Sequence, residues 1–140
     1  MNILYLCTGN SCRSQMAEAW TRLLHPTIHC WSAGVERHGM NPYAVRVMEE
    51  VGADMSGHSS KTVDDLPDLA YDYVVTLCGH AAENCPYFPG AHKRVHRGFD
   101  DPPSLARGLE RDEDILEVYR RVRDEIRKMV DGLPDSLEDG

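Results

Sequence analysis

The chain has 140 residues, enough for one domain with its own core, and its 41% hydrophobic and 27% charged content is that of an ordinary globule. A formal net charge of -8 and a pI near 5.3 exclude a broad basic face for nucleic acid or an anionic membrane. A small anion remains open as a ligand, provided positive potential is concentrated in one pocket. Met1–Leu6 has neither a basic region nor a long apolar run, which speaks against a signal peptide or a membrane span and predicts a cytoplasmic protein. In that compartment Cys7, Cys12, Cys30, Cys78 and Cys85 are expected as thiols, and their odd number suits catalysis or redox cycling better than a disulfide framework.

Asn2–Cys7 reads as a buried strand running into the loop Thr8-Gly9-Asn10-Ser11. Ser14 is placed to cap a helix whose Met16, Ala17, Trp20, Leu23 and Leu24 share a face. Ile28–Ser32 is a second strand, closed by Ala33-Gly34. Asn41-Pro42 reads as a helix start, with Asn as the cap and Pro at the first position, leading into Val45, Val47, Met48 and Val51. Tyr71–Leu77 is a third strand and Lys93–His96 a weaker fourth. Ile115, Val118, Tyr119, Val122, Ile126 and Met129 recur at three- and four-residue steps, the strongest amphipathic helix in the chain. The expected organisation is one catalytic domain over residues 1–131 and a flexible acidic tail over 132–140. Strands alternating with helices predict an α/β fold, a three-layer sandwich with a short four-stranded parallel sheet and helices on both faces. Ligands of such folds sit at the carboxyl ends of strands, near helix N-termini, and the first strand ends at Cys7.

Cys7-Thr8-Gly9-Asn10-Ser11-Cys12-Arg13-Ser14 places a cysteine and an arginine at the two ends of a strand-to-helix loop. Backbone N–H groups of a loop wrapped at a helix start converge on one point and bind a tetrahedral oxyanion. Arg13 adds a bidentate clamp, and Gly9 is expected to supply the freedom for a tight turn. The helix dipole, Arg13 and a hydrogen bond from Ser14 are expected to make Cys7 a nucleophilic thiolate. Cys12, inside the loop, is expected to pack. Cys78 ends the third strand and emerges on the same sheet edge as Cys7, with Cys85 seven residues further on. A zinc site from Cys78, His80, Cys85 and His92 or His96 is disfavoured because no short Cys-x2–4-Cys pair anchors it, and no metal is expected. Asp101, followed by Pro102 in a loop after the fourth strand, is a candidate acid, with Asp100 its neighbour.

The stretch Cys7–Glu18, CTGNSCRSQMAE, closely resembles the thioredoxin-linked arsenate reductases and, more loosely, the low-molecular-weight tyrosine phosphatases. Trp31-Ser32-Ala33-Gly34, Val74–Cys78 with Cys85, and Gly98-Phe99-Asp100-Asp101-Pro102 extend the match to roughly residues 2–131. The resemblance implies a relay. Cys7 attacks arsenic, Cys78 attacks Cys7 and releases arsenite, and Cys85 attacks Cys78, leaving a disulfide that reduced thioredoxin opens. It implies Asp101 as general acid, Thr8–Ser14 as the oxyanion loop, no bound cofactor and a monomer. Arsenate and thioredoxin are the expected partners. The competing reading is a tyrosine phosphatase using Cys7, Arg13 and Asp101 alone, and weak phosphatase activity is expected even in a reductase. A non-catalytic phosphate-binding module is a third.

Two features depart from the resemblance. Some members bind potassium through positions matching Asn10, Glu18, Ser32 and an aspartate; here the aspartate position is Lys61, whose ammonium is expected to stand in for the cation. Cys30 has no role that the resemblance assigns. A Cys78–Cys85 disulfide needs Cα atoms about 4.4–6.8 Å apart. Seven helical steps give about 10.5 Å and seven extended steps more than about 20 Å, so the segment is expected to unwind on oxidation.

Overall fold

A computed structural model describes residues 1–79, 91 and 93–138; His80, Cys85 and His92, and with them the expected unwinding of residues 79–85, lie outside this set. Four strands form one parallel sheet: β1 (Asn2–Cys7), β2 (His29–Gly34), β3 (Tyr73–Thr76) and β4 (Lys93–His96), in the order β2-β1-β3-β4. β1 is central and nearly continuous in apolar residues because a parallel strand is covered on both faces. β4 is an edge, and only Val95 of its residues is buried.

One face of the sheet carries the three long helices, α1 (Arg13–Leu24), α2 (Pro42–Glu50) and, beyond the single-turn α3 (Pro102–Leu105), α4 (Asp112–Asp131). Ile3, Tyr5, Tyr73 and Val75 point into this layer, where they meet Met16, Trp20, Val47, Val122 and Ile126. Each fully buried aliphatic side chain here contributes about 1.5–3 kcal/mol. Trp20 Nε1 donates to the Arg123 carbonyl at 3.0 Å, tying α1 to α4. Asn41 caps α2 as expected, its Oδ1 accepting from the Tyr43 and Ala44 amides at 2.9 and 3.2 Å. Arg120 and Arg123 of α4 both grip Glu50 at the end of α2, and they hold its carboxyl down at about 2.

On the opposite face lie Leu4, Leu6, Val74, Cys7 and Cys78. Among the described residues this side is covered by a 3-10 turn at Val63–Asp65 and the stretch to Tyr71. The chain after α4 also differs from the loose tail its acidity suggests. Leu133 and Leu137 are buried in the main core, and Ser136 receives Arg97 at its carbonyl. Two leucines among acidic neighbours are enough to anchor the segment through residue 138.

Candidate active site

All four strands run the same way, so β1 and β3 end at one edge. Cys7 pairs with Gly34 and Leu6 with Thr76, and the Leu77 amide donates to the Leu6 carbonyl at 2.8 Å, which brings Cys78 out next to the start of the loop. Thr8 Oγ1 and Cys78 Sγ are 3.2 Å apart, and both cysteines are buried in the same cluster.

The loop's peptide planes are turned by what their carbonyls touch. The carbonyls of Cys7, Thr8, Gly9, Asn10 and Ser11 accept, respectively, from the amides of Val35, Glu36 and His38, the Gln15 side chain and the Asn41 amide, at 2.9–3.3 Å. A trans peptide points its N–H opposite its carbonyl, so with the carbonyls engaged outward the next N–H groups face the pocket. Asn10 makes this curl possible at φ 49, the one positive φ outside glycine among the described residues. Its fully buried side chain locks it: Oδ1 accepts from the Lys61 amide at 2.7 Å and Gln15 Nε2 at 3.0 Å, while Nδ2 donates to Ser14 Oγ at 2.8 Å. Gly9 does not hold the turn. A Cβ there would lie 2.2 Å from His38 Nδ1, so its role is to let the imidazole rest on the loop.

Hydrogen-bond polarity then follows from bookkeeping of protons. Ser14 Oγ accepts from Asn10, so its single hydrogen is free to go to Cys7 Sγ, 2.9 Å away. Ser14 therefore serves the sulfur; it makes no helix cap, and Cys12 stands at that position without a side-chain cap bond. Gln15 Nε2 faces three acceptors, Asn10 O, Asn10 Oδ1 and Ser59 O, which leaves Oε1 for His58 Nδ1 at 2.8 Å and makes Nδ1 the protonated nitrogen. Burial pushes His58 below the ordinary histidine range, against the opposing pull of Glu18. A neutral His58 thus ends a chain of hydrogen bonds that begins at Cys7.

Arg13 bridges the loop to Asp101. Its Nη1 donates to the Phe99 carbonyl at 2.9 Å and its Nη2 lies 3.3 Å from Asp101 Oδ1, while Asp101 Oδ2 accepts from Ser104 Oγ at 2.7 Å. Asp100 turns away to Arg121, 3.1 Å distant. Between two adjacent aspartates, Asp101 is the one at the pocket. The cavity over the loop has about 270 Å³ and is lined by Cys7, Thr8, Gly9, Ser11, Cys12, Arg13, His38, Asp101 and Pro103. That is below the roughly 300–1,000 Å³ usual for organic ligands.

The other thiols among the described residues, Cys12 and Cys30, are protected. Burial raises Cys12 well above the ordinary thiol range and pushes Cys30 up to about 12, with Cys30 Sγ directed at the Glu18 carbonyl. Lys61 is not where the cation reading expected it. Its ammonium donates to the Ser59 carbonyl at 2.9 Å, and Glu18 instead receives Arg22 Nε at 2.9 Å and Ser32 Oγ at 2.5 Å. The oxygens a potassium ion would use are already engaged by protein donors. Of the zinc candidates, His96 Nδ1 pairs with Thr76 Oγ1 at 2.9 Å, and His80, Cys85 and His92 fall outside the described residues. His38, Gln15, His58 and Thr8's partnership with Cys78 carry no local signal in the sequence, since each acts across a fold contact.

Over residues 2–139 the chain matches the family described as low molecular weight phosphotyrosine protein phosphatase. It is 53% identical to the arsenate reductase of Halalkalibacterium halodurans over 129 residues, covering 91% of each chain. It is 52% identical to the arsenate reductase of Bacillus subtilis over 126 residues, 89% of this chain and 88% of that one. Among solved structures, an arsenate reductase in the phosphate binding state superposes with a TM-score of 0.79 at 31% identity, covering 97% of this chain and 98% of the other.

Proposed function

The chain belongs to the low molecular weight phosphotyrosine protein phosphatase family, and from that premise we propose that it is an arsenate reductase working by a relay of Cys7, Cys78 and Cys85. The observation that carries this reading is the second buried thiol, Cys78, whose sulfur lies 3.2 Å from a hydroxyl of the oxyanion loop itself. Ester hydrolysis needs one cysteine; reducing arsenic by two electrons needs two thiols, and a third to carry the disulfide away.

Arsenate enters the loop, its oxygens met by backbone N–H groups and the Arg13 guanidinium. Cys7 Sγ forms a bond to arsenic as one As–O bond breaks, and Asp101 protonates the departing oxygen. Cys78 Sγ, as thiolate, then attacks Cys7 Sγ. The S–S bond forms, the S–As bond breaks, and its electron pair stays on arsenic, which leaves as arsenite. Cys85 attacks Cys78, freeing Cys7 as thiolate, and thioredoxin's dithiol reduces the Cys78–Cys85 disulfide. The protein's own thiols supply both electrons and Asp101 the proton, with no bound cofactor.

The alternative of a tyrosine phosphatase uses the same Cys7, Arg13 and Asp101. Against it, the described residues of the pocket wall include no Phe, Tyr or Trp to stack on a phenyl ring, and Pro103 lines the pocket with Asp101. The discriminating experiment is arsenate-dependent NADPH oxidation with thioredoxin and thioredoxin reductase, run beside hydrolysis of p-nitrophenyl phosphate. Turnover in the first and little in the second is expected. Vigorous hydrolysis without arsenate-dependent oxidation would reverse the assignment. No helix among the described residues is long and apolar enough to cross a membrane.

A further inference from the structure

The segment after β2 runs alongside the oxyanion loop as if zipped to it. Val35, Glu36 and His38 donate their amides to the carbonyls of Cys7, Thr8 and Gly9 at 3.3, 2.9 and 3.0 Å. That fixes the backbone of His38 over the pocket. Its ring is fixed as well: the inner edge rests on Gly9, where a Cβ would lie 2.2 Å from Nδ1, and Nε2 stands 2.6 Å from Glu36 Oε2. A half-exposed histidine with these three contacts lines the cavity, and nothing in the relay uses it. Asp101 and Pro103 line the same cavity.

In-line attack by Cys7 requires the leaving oxygen to sit on the far side of the central atom, where Asp101 protonates it. Whatever that oxygen carries must pass out of a cavity that His38 and Pro103 both line. For arsenate it carries a proton. For a phosphate ester it carries the organic group. We propose that His38, oriented by Glu36, is the specificity-determining wall of this site: it admits a bare tetrahedral oxyanion and excludes the organic group of a phosphate monoester. The proposal deepens the reductase reading and rests on it for the choice of arsenate as the substrate.

The test uses p-nitrophenyl phosphate as the ester, and inorganic phosphate, a bare tetrahedral oxyanion that the thiols cannot reduce, as a competitive inhibitor of its hydrolysis, so it does not depend on reduction. His38→Ala should raise kcat/KM for the ester roughly ten-fold, the scale on which pocket shape discriminates, and weaken phosphate inhibition a few-fold. His38→Gln keeps most of the bulk without adding an aromatic ring and should keep the ester out. Glu36→Ala removes the acceptor of His38 Nε2 and should shift the ester-to-phosphate ratio the same way as His38→Ala, by less. If His38→Ala is folded, with Cys7 still protected from iodoacetamide by phosphate, and the ratio stays within two-fold of wild type, the proposal is overturned. Should His38→Ala fail to fold, an unchanged ratio in Glu36→Ala overturns it instead. A wild-type chain that hydrolyses the ester but reduces no arsenate would sink the reductase reading, while the ratio would still report on the wall.

Discussion

Replacing Ser14 with alanine removes the hydrogen directed at Cys7 and the acceptor of Asn10 Nδ2. The Ser14 side chain is fully buried, and its hydroxyl has two partners: it accepts from Asn10 Nδ2 at 2.8 Å and stands 2.9 Å from Cys7 Sγ. Because the first bond consumes an acceptor site and not the hydrogen, the proton is directed at the sulfur. A hydrogen bond to a charged group contributes about 1.5–3 kcal/mol, so the thiolate should lose roughly 10- to 150-fold in reactivity. The same substitution strands Asn10 Nδ2 in a dry site, which costs about 1–3 kcal/mol of folding stability. Two measurements separate the effects. Iodoacetamide alkylation of Cys7 at neutral pH, read by mass spectrometry of the loop peptide, reports on the sulfur, and urea unfolding reports on the asparagine. Alkylation within two-fold of wild type in a folded Ser14→Ala protein would falsify the assigned direction of this hydrogen bond. A loss of stability with no loss of reactivity would mean that Ser14 serves the loop alone.

Asp101→Asn should slow adduct formation, followed by quenched-flow arsenite release, by roughly two to four orders of magnitude. Asp100→Asn breaks only an exposed pair with Arg121, worth at most about 1 kcal/mol, and a swap of the two phenotypes would assign the acid to Asp100. Cys85→Ser should release one arsenite per enzyme and stall with a Cys7–Cys78 disulfide visible in peptide maps; full thioredoxin-coupled turnover would make Cys85 dispensable. His58 is depressed in the folded state, so the unfolded chain takes up its proton first as the pH falls. Its stabilising contribution is complete above the ordinary histidine value and is lost as the pH drops through the folded one. His58→Asn, which keeps a donor near the Nδ1 position, should flatten the dependence of Tm on pH below about 6.5, and an unchanged slope would remove His58 from this role. Exchanging potassium for choline at constant ionic strength should leave kcat/KM unaltered, since Arg22 and Ser32 already occupy Glu18; a several-fold activation by potassium would contradict that.

What the sequence determined by itself was whatever repeats or terminates locally. The apolar run of β1 breaks into a polar loop at Cys7, Asn41-Pro42 opens α2, and a three- and four-residue spacing writes α4, because each of these depends on neighbours within a turn or two. Cys7 and Arg13 were legible for the same reason: one loop supplies both. The parallel order of the strands also followed, since strands separated by helices return in the same direction. The tertiary structure decided everything that hangs on a distant partner. Asn10, and not Gly9, supplies the unusual backbone of the tight turn, because Lys61, 51 residues away, and Gln15 pay for its positive φ with hydrogen bonds. Asp101 is chosen over Asp100 by Arg13, and Cys78 meets the loop through Thr8, 70 residues earlier. His38 and Leu137 look like surface residues in the chain, the first among polar neighbours and the second among acidic ones. A carbonyl of the loop and a gap in the core put them where they are, and neither exists until the sheet has closed.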